Sequence, residues 1–397
     1  MSLSPNSWQS AIKGQWQEPH DIFSLLLIIG GDIIQKAIAQ LAGGPYPVTP
    51  VAFSFGWVSY SILAVMSVLG DGTLMPPPDT PCVLIDVRKG YSRRNHSWVL
   101  GRILRDWHED GEKLTHSLEI SFCSASIQEA GIPHPDIVWF FAVAVIISQL
   151  VVSIIPIFID GTWTIFILTF SGTLLALGQA SLPQWKLEKW SCRQNTSDRV
   201  VCLTQGNGSR RVIIIDCKKN AGLDLGDLAS PRTRKLTSTL PWTVFFCICW
   251  LCHLLTATGI QTYAWYMLFI GGIGTVQNVF AVGAKREPPA FGLHLHKEAF
   301  ICPNDNVANK VMAVIQEAEK RKPGLRLGLS LVDIFFPGRG GLHPSEKQWV
   351  RVQEEKYAEL DPPLTPSLNP TELGWRRREL EKYTKFDLLG LQGATIV

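Results

Sequence analysis

Residues 137–159 read IVWFFAVAVIISQLVVSIIPIFI, with no charged side chain between Asp136 and Asp160. At 1.5 Å per residue the run is long enough to cross about 30 Å of hydrocarbon, and it is apolar on every face rather than on one stripe. It predicts a membrane-spanning helix. Working outward, similar apolar segments stand at 22–42, 50–70, 136–159, 162–182, 240–260 and 264–283. Short links near 43–49, 160–161 and 261–263 join them in pairs. Trp139, Trp163, Trp242, Trp265 and Tyr266 near segment ends fit an interfacial aromatic belt. The expected fold is a polytopic α-helical membrane protein with about six transmembrane helices in three hairpins, 22–70, 136–182 and 240–283. No removable signal peptide is expected ahead of the first, because residues 1–21 hold a single Lys and the apolar run that follows lacks a small-residue cleavage site.

The charges are distributed as this topology requires. The chain is 46% hydrophobic and only 18% charged, below the share usual for a soluble domain. Of its 37 Lys and Arg, 35 lie in three polar stretches, 71–134, 183–239 and 284–397, and none lies in the short links. With an even number of crossings all three stretches fall on one face. The positive-inside rule makes that face cytosolic, together with the N-terminal stretch 1–21. Sequons at Asn95, Asn195 and Asn207 argue the other way, since glycans on them would require a lumenal face. A net charge of +3 is too small to point to nucleic acid. The partners expected are the lipid bilayer and a cytosolic protein bound through the tail.

The polar stretches carry folding signals of their own. Residues 82–87 and 117–124 read as strands, 95–110 as an amphipathic helix capped by Asn95 or Ser97, and 199–204 with 211–217 as a hairpin across a Gln-Gly-Asn-Gly turn. In the tail, 304–321 reads as an amphipathic helix, 325–336 as a strand, 361–370 as a Pro-rich linker and 371–385 as a charged helix. The two loops and the tail are expected to form a cytosolic α+β portion. Val83–Gly90 and Ile213–Asn220 share an apolar run ending in an acid and basic residues, with a fainter echo at Leu331–Ile334, which raises an internal repeat as one reading. The basic clusters at 232–235 and Lys285-Arg286 read as topology anchors beside membrane segments.

Candidate chemistry is sparse. Asp32 and Lys36 stand four apart in the first apolar segment and share a helical face with Gln35, Ala39 and Gln40. Charges at bilayer depth are costly, so three readings follow: a polar track, an ion pair within the helix, or a helix lying along the interface. In the fifth segment Cys249-Trp250-Leu251-Cys252-His253 matches the haem-attachment pattern, but it is embedded among aromatic residues. Cys247, Cys249 and Cys252 cannot share one helical face, so these thiols read as small hydrophobes. His253 is expected to face Gln277 or Asn278 of the sixth segment. Gly271-Gly272-Ile273-Gly274 reads as a close-packing stripe. No nucleophile elbow, metal-binding motif or phosphate loop is present, so no catalytic residue, cofactor or metal is expected.

Gly31–Leu41 (GDIIQKAIAQL), Thr49–Val58 (TPVAFSFGWV) and Arg93–Trp98 (RRNHSW) resemble a group of multi-pass integral membrane proteins of filamentous fungi. Some members are encoded beside secondary-metabolite genes, so the resemblance implies an accessory role and supplies no catalytic residue. The functions expected are therefore a scaffold or accessory factor held in a membrane or, as the alternative, a small-molecule or ion transporter using the Asp32/Lys36 face.

Overall fold

The computed structural model describes residues 30–107, 118–126, 130–231, 234–260, 262–301 and 311–360. Four of its helices are long and apolar enough to cross a membrane. They are α4 (Ile137–Asp160), α5 (Thr164–Ala180, followed after a break by α6, Pro183–Lys189), α7 (Thr239–Thr258) and α8 (Ala264–Gly283). Asp136 caps α4 by accepting from the Trp139 amide, and left-handed Gly161 ends it.

The first hairpin departs from expectation. Its first described helix, α1, spans only Gly31–Leu41, about 17 Å at 1.5 Å per residue, and its second, α2, spans Gly56–Gly70. Residues 22–29 of the expected first segment lie outside the described residues. The two helices start side by side, with a Cβ at Gly56 falling 3.1 Å from the Gly30 carbonyl oxygen. Both run toward the same end of the bundle, where Ala42 meets Lys189 and Asp71 meets Lys235. The chain between them therefore has to double back through the bundle. It does so without helix from Thr49 to Ser54, every residue of which is buried. The amide of Thr49 binds Ser181 Oγ at the end of α5, whereas the carbonyl of Phe53 binds Gln149, about 20 Å along α4 from its start. Among the described residues there are thus four membrane-length helices, together with a re-entrant segment, from Ala42 to Asp71, that enters and leaves the bundle at one end.

The polar stretches assemble into one mixed sheet of order β2-β1-β4-β5-β3-β6. The first loop contributes β1 (Val83–Asp86), β2 (Tyr91–Arg94) and β3 (Glu119–Ala125), the second β4 (Arg199–Thr204) and β5 (Arg211–Cys217), and the tail β6 (Leu295–Ile301). Only β3 and β5 pair in parallel. The apolar run RVIIIDC has no alternation because both faces of β5 are covered. Val212 and Ile214 pack against the tail helices α9 (Val311–Arg321), α10 (Leu327–Phe335) and α11 (Pro344–Leu360). Ile213 and Ile215 face the bundle, together with Val99 and Ile103 of α3 (Trp98–Asp106). One apolar cluster runs from α1 through the bundle to this inner sheet face.

Residues 325–336, expected as a strand, form α10 instead, so the third echo of the strand repeat is absent there. Short apolar runs do not declare their period, and this one completes its pattern by packing Leu331 and Val332 onto the sheet. The segments β2, β6 and α11 had no clear sequence signal. The expected helix at 371–385 lies outside the described residues.

Candidate functional site

Extended backbone deep in a helical bundle leaves peptide groups that water cannot reach, so they must be satisfied by protein. Three long amides do this for residues 52–54. Gln277 Oε1 accepts from the Ala52 amide at 3.2 Å, and Asn278 Nδ2 donates to the Ala52 carbonyl at 3.3 Å and to Ser54 Oγ at 3.2 Å. Gln149 Nε2 donates to the carbonyls of Phe53 and Ile270, both at 2.7 Å. Trp57 Nε1 adds a bond to Ala52 O. Gln149, Gln277 and Asn278 are all fully buried. Two glycines of α8, Gly271 and Gly274, make room for this segment. A Cβ at Gly274 would stand 1.8 Å from the Phe53 carbonyl oxygen, and one at Gly271 would overlap the Phe55 ring. The small residues admit an extended strand of chain, where the sequence pointed to helix packing.

His253 lies beyond this network. It does not meet Gln277 or Asn278, as expected, because the re-entrant segment lies between. Its Nδ1 is 3.4 Å from Ser171 Oγ of α5, and the rings of Phe53 and Trp250 stand edge-on to it at 5.5 Å. Trp250 is sandwiched between Phe53 and Trp57 and donates to Gln179. Cys249 is half-buried and Cys252 exposed on the outside of α7. Among the described residues no group of three or more His, Cys, Asp and Glu could hold a metal ion.

Asp32 and Lys36 do not neutralise each other. Lys36 pairs with Asp79 of the first loop at 3.6 Å, Gln35 donates to the Leu74 carbonyl and Asp32 is exposed. This face of α1 abuts the 74–79 segment and is not a track through the bundle.

A second cluster, unread in the sequence, joins the bundle to the sheet. Arg102, Lys189 and Arg286 are all buried, at 0%, 2% and 6% exposure. Lys189 Nζ donates to the carbonyls of Gln40 and Ala42, and Arg286 to Gln40 O, at the end of α1. Arg102 donates to the carbonyls of Val282 and Ala284, at the end of α8. The last carbonyls of a helix lack intrahelical partners and carry the negative end of its dipole, so donors from buried basic side chains are held there. Carboxylates complete the layer. Arg286 grips Asp136 through two nitrogens, at 2.6 and 2.8 Å, and Arg102 pairs with Asp106 and Asp79. Lys285-Arg286 is thus only partly an anchor at a membrane surface.

The sequons divide by burial. Asn95 is 4% exposed, donates to Ser97 O and accepts from the Ser97 amide, forming a turn ahead of α3. Ser97 itself makes no side-chain cap. Asn195 is 1% exposed and donates to the carbonyls of Cys217 and Lys218. Asn207 stands exposed in the β4–β5 turn. In the sheet, burial pushes the Cys82 and Cys217 thiols up to about 12, so neither supplies a thiolate near neutral pH.

No family model, no curated protein and no solved structure matches the chain. Function is therefore read from the geometry.

Proposed function

We propose that this protein is a non-catalytic, multi-pass membrane component, a scaffold or accessory factor that holds a folded α+β domain rigidly against the cytosolic face of a membrane. The observation that carries this reading is the joint between the two parts. A domain merely tethered to a membrane needs no buried polar layer at its base, whereas here three buried basic side chains from two loops and the tail cap the ends of bundle helices. The cytosolic side follows from the positive-inside rule applied to the basic polar stretches. A link to fungal secondary metabolism rests on the resemblance alone.

The outer surface, where α11 exposes Arg351 and Val352, is the face available to a partner. A photo-crosslinking residue placed at Val352 in the full chain in its native membrane should give one discrete protein adduct, and the same residue at lipid-facing Phe158 should not. An adduct-free Val352 would overturn the scaffold reading. Transport is the second reading, favoured by half-length helices whose starts meet deep in the bundle, as in transporters with discontinuous helices. Solute flux in proteoliposomes reconstituted with the full chain would establish it instead.

A further inference from the structure

The link 43–48 stands at the end of the bundle that carries the sheet, where Ala42 meets Lys189 and the Thr49 amide binds Ser181. Its sequence, GGPYPV, holds no charge, unlike the polar stretches at the same end. Pro45, Tyr46, Pro47 and Val48 are all exposed, Tyr46 at 55% and Val48 at 45%. A consecutive apolar run of this kind is out of place in water and marks an interaction surface. The run is also held firmly. Gly43 takes a left-handed turn (φ 87°) against Trp190, whose ring lies where a Cβ would fall, and the Tyr46 ring stacks on Trp139 at 5.2 Å.

The position of Trp139 sets the depth of the link. Trp139 lies in the first turn of α4, beside exposed Ile137 and Phe140. The 24 residues of α4 span about 36 Å, a little more than the roughly 30 Å of bilayer hydrocarbon. Exposed Trp163 follows the far end of α4, and exposed Trp265 opens α8 there, where Tyr263 donates to Asp160. Exposed Trp242, near the start of α7, lies at the same end as Trp139, since Thr239 donates to Gln184 of α6. Tryptophans thus stand at two levels about one hydrocarbon thickness apart, as the aromatic belts of membrane interfaces do. Tyr46 extends the belt on the sheet side. The backbone of the run suits this layer too. Unpaired N–H groups are excluded from hydrocarbon but tolerated among hydrated headgroups, and Pro45 and Pro47 have none to leave unmet.

We propose that Pro45–Val48 is a lipid-contacting loop seated in the headgroup layer of the leaflet on the sheet side. It continues the lipid-facing surface of α4 and pins the end of α1, and with it the joint between sheet and bundle, at the membrane surface. The inference rests on the reading of the bundle as membrane-embedded, so its test carries a separate check of that reading.

The full-length chain, with a photoreactive benzophenone residue at Tyr46, Ile147 or Asn207, is reconstituted in phosphatidylcholine nanodiscs, and its adducts are identified by mass spectrometry. Ile147 is exposed midway along α4, and Asn207 is exposed in the β4–β5 turn of the sheet. Phosphatidylcholine adducts at Tyr46 and Ile147, and none at Asn207, are the expected result. Lipid at Ile147 with none at Tyr46 would overturn the proposal and leave the embedded bundle standing. No lipid at either position would overturn the embedded bundle, and the proposal with it. Equal capture at Tyr46 and Asn207 would mean that lipid reaches any exposed site, and would also overturn it. So would a discrete protein adduct in place of lipid when the Tyr46 variant is irradiated in its native membrane. Val48 supplies the same test if replacing Tyr46 prevents folding.

Discussion

Arg286 carries its charge into the interior because α1 ends there with the Gln40 carbonyl, which it shares with Lys189, and because Asp136 stands beside it. Its guanidinium serves two masters at once, the Gln40 carbonyl and both oxygens of Asp136, and this needs a planar fork of donors. Arg286→Met would leave the Asp136 carboxylate without its guanidinium partner and the Gln40 carbonyl with Lys189 alone, at a cost of about 3–5 kcal/mol. Thermal unfolding in detergent should show a large loss, only slightly recovered by Arg286→Lys, since an ammonium cannot bridge both partners. Full recovery by lysine would mean that charge alone matters. The residue was invisible in the sequence because a basic pair beside an apolar segment looks the same whether it meets lipid headgroups or a buried helix end. His253, Gln277 and Asn278 were visible as polar residues in apolar runs, but their partners were not, because those partners are backbone atoms of residues 52–54.

Helices α4, α5, α7 and α8 were legible from length and apolarity alone, and the β4–β5 hairpin from its Gly-rich turn. The first pair was misread for a physical reason. Protein interior and lipid ask for the same side chains, so the non-helical residues 50–54 merged with α2 into one apolar run. What distinguishes them is the glycines that face them from α8, and these give a sharp contrast. Gly274→Ala would drive a methyl into the Phe53 carbonyl and the Gln149 amide, neither of which can retreat. Gly272, two residues earlier, has nothing within 4 Å of its would-be Cβ. Gly274→Ala should therefore abolish accumulation of folded protein, whereas Gly272→Ala should be neutral or stabilise α8 by up to about 1 kcal/mol. Fluorescence-detected size-exclusion of tagged variants reads both, and equal behaviour of the pair would remove the case for a buried extended segment.

At the scale of the whole molecule the polar stretches are woven into one unit, and this changes how the tail can be cut. Truncation after residue 297 removes most of β6 and all of α9, α10 and α11, exposing Val200, Val212 and Ile214 on the outer sheet face. That protein should aggregate, whereas truncation after residue 360 leaves every described contact in place and should preserve a monodisperse peak.

The same weaving makes sidedness a single question, because strands from both loops and the tail share one sheet and must share one face of the membrane. A glycan needs an exposed asparagine amide in the folded protein. Asn95 and Asn195 have theirs buried and hydrogen-bonded, so of the three sequons only Asn207 could carry one. With the sheet in the cytosol, N-glycosidase should leave the mass of the wild-type protein unchanged. A shift that disappears in Asn207→Gln would place the sheet in the lumen and invert the topology, while leaving the joint between sheet and bundle as it is.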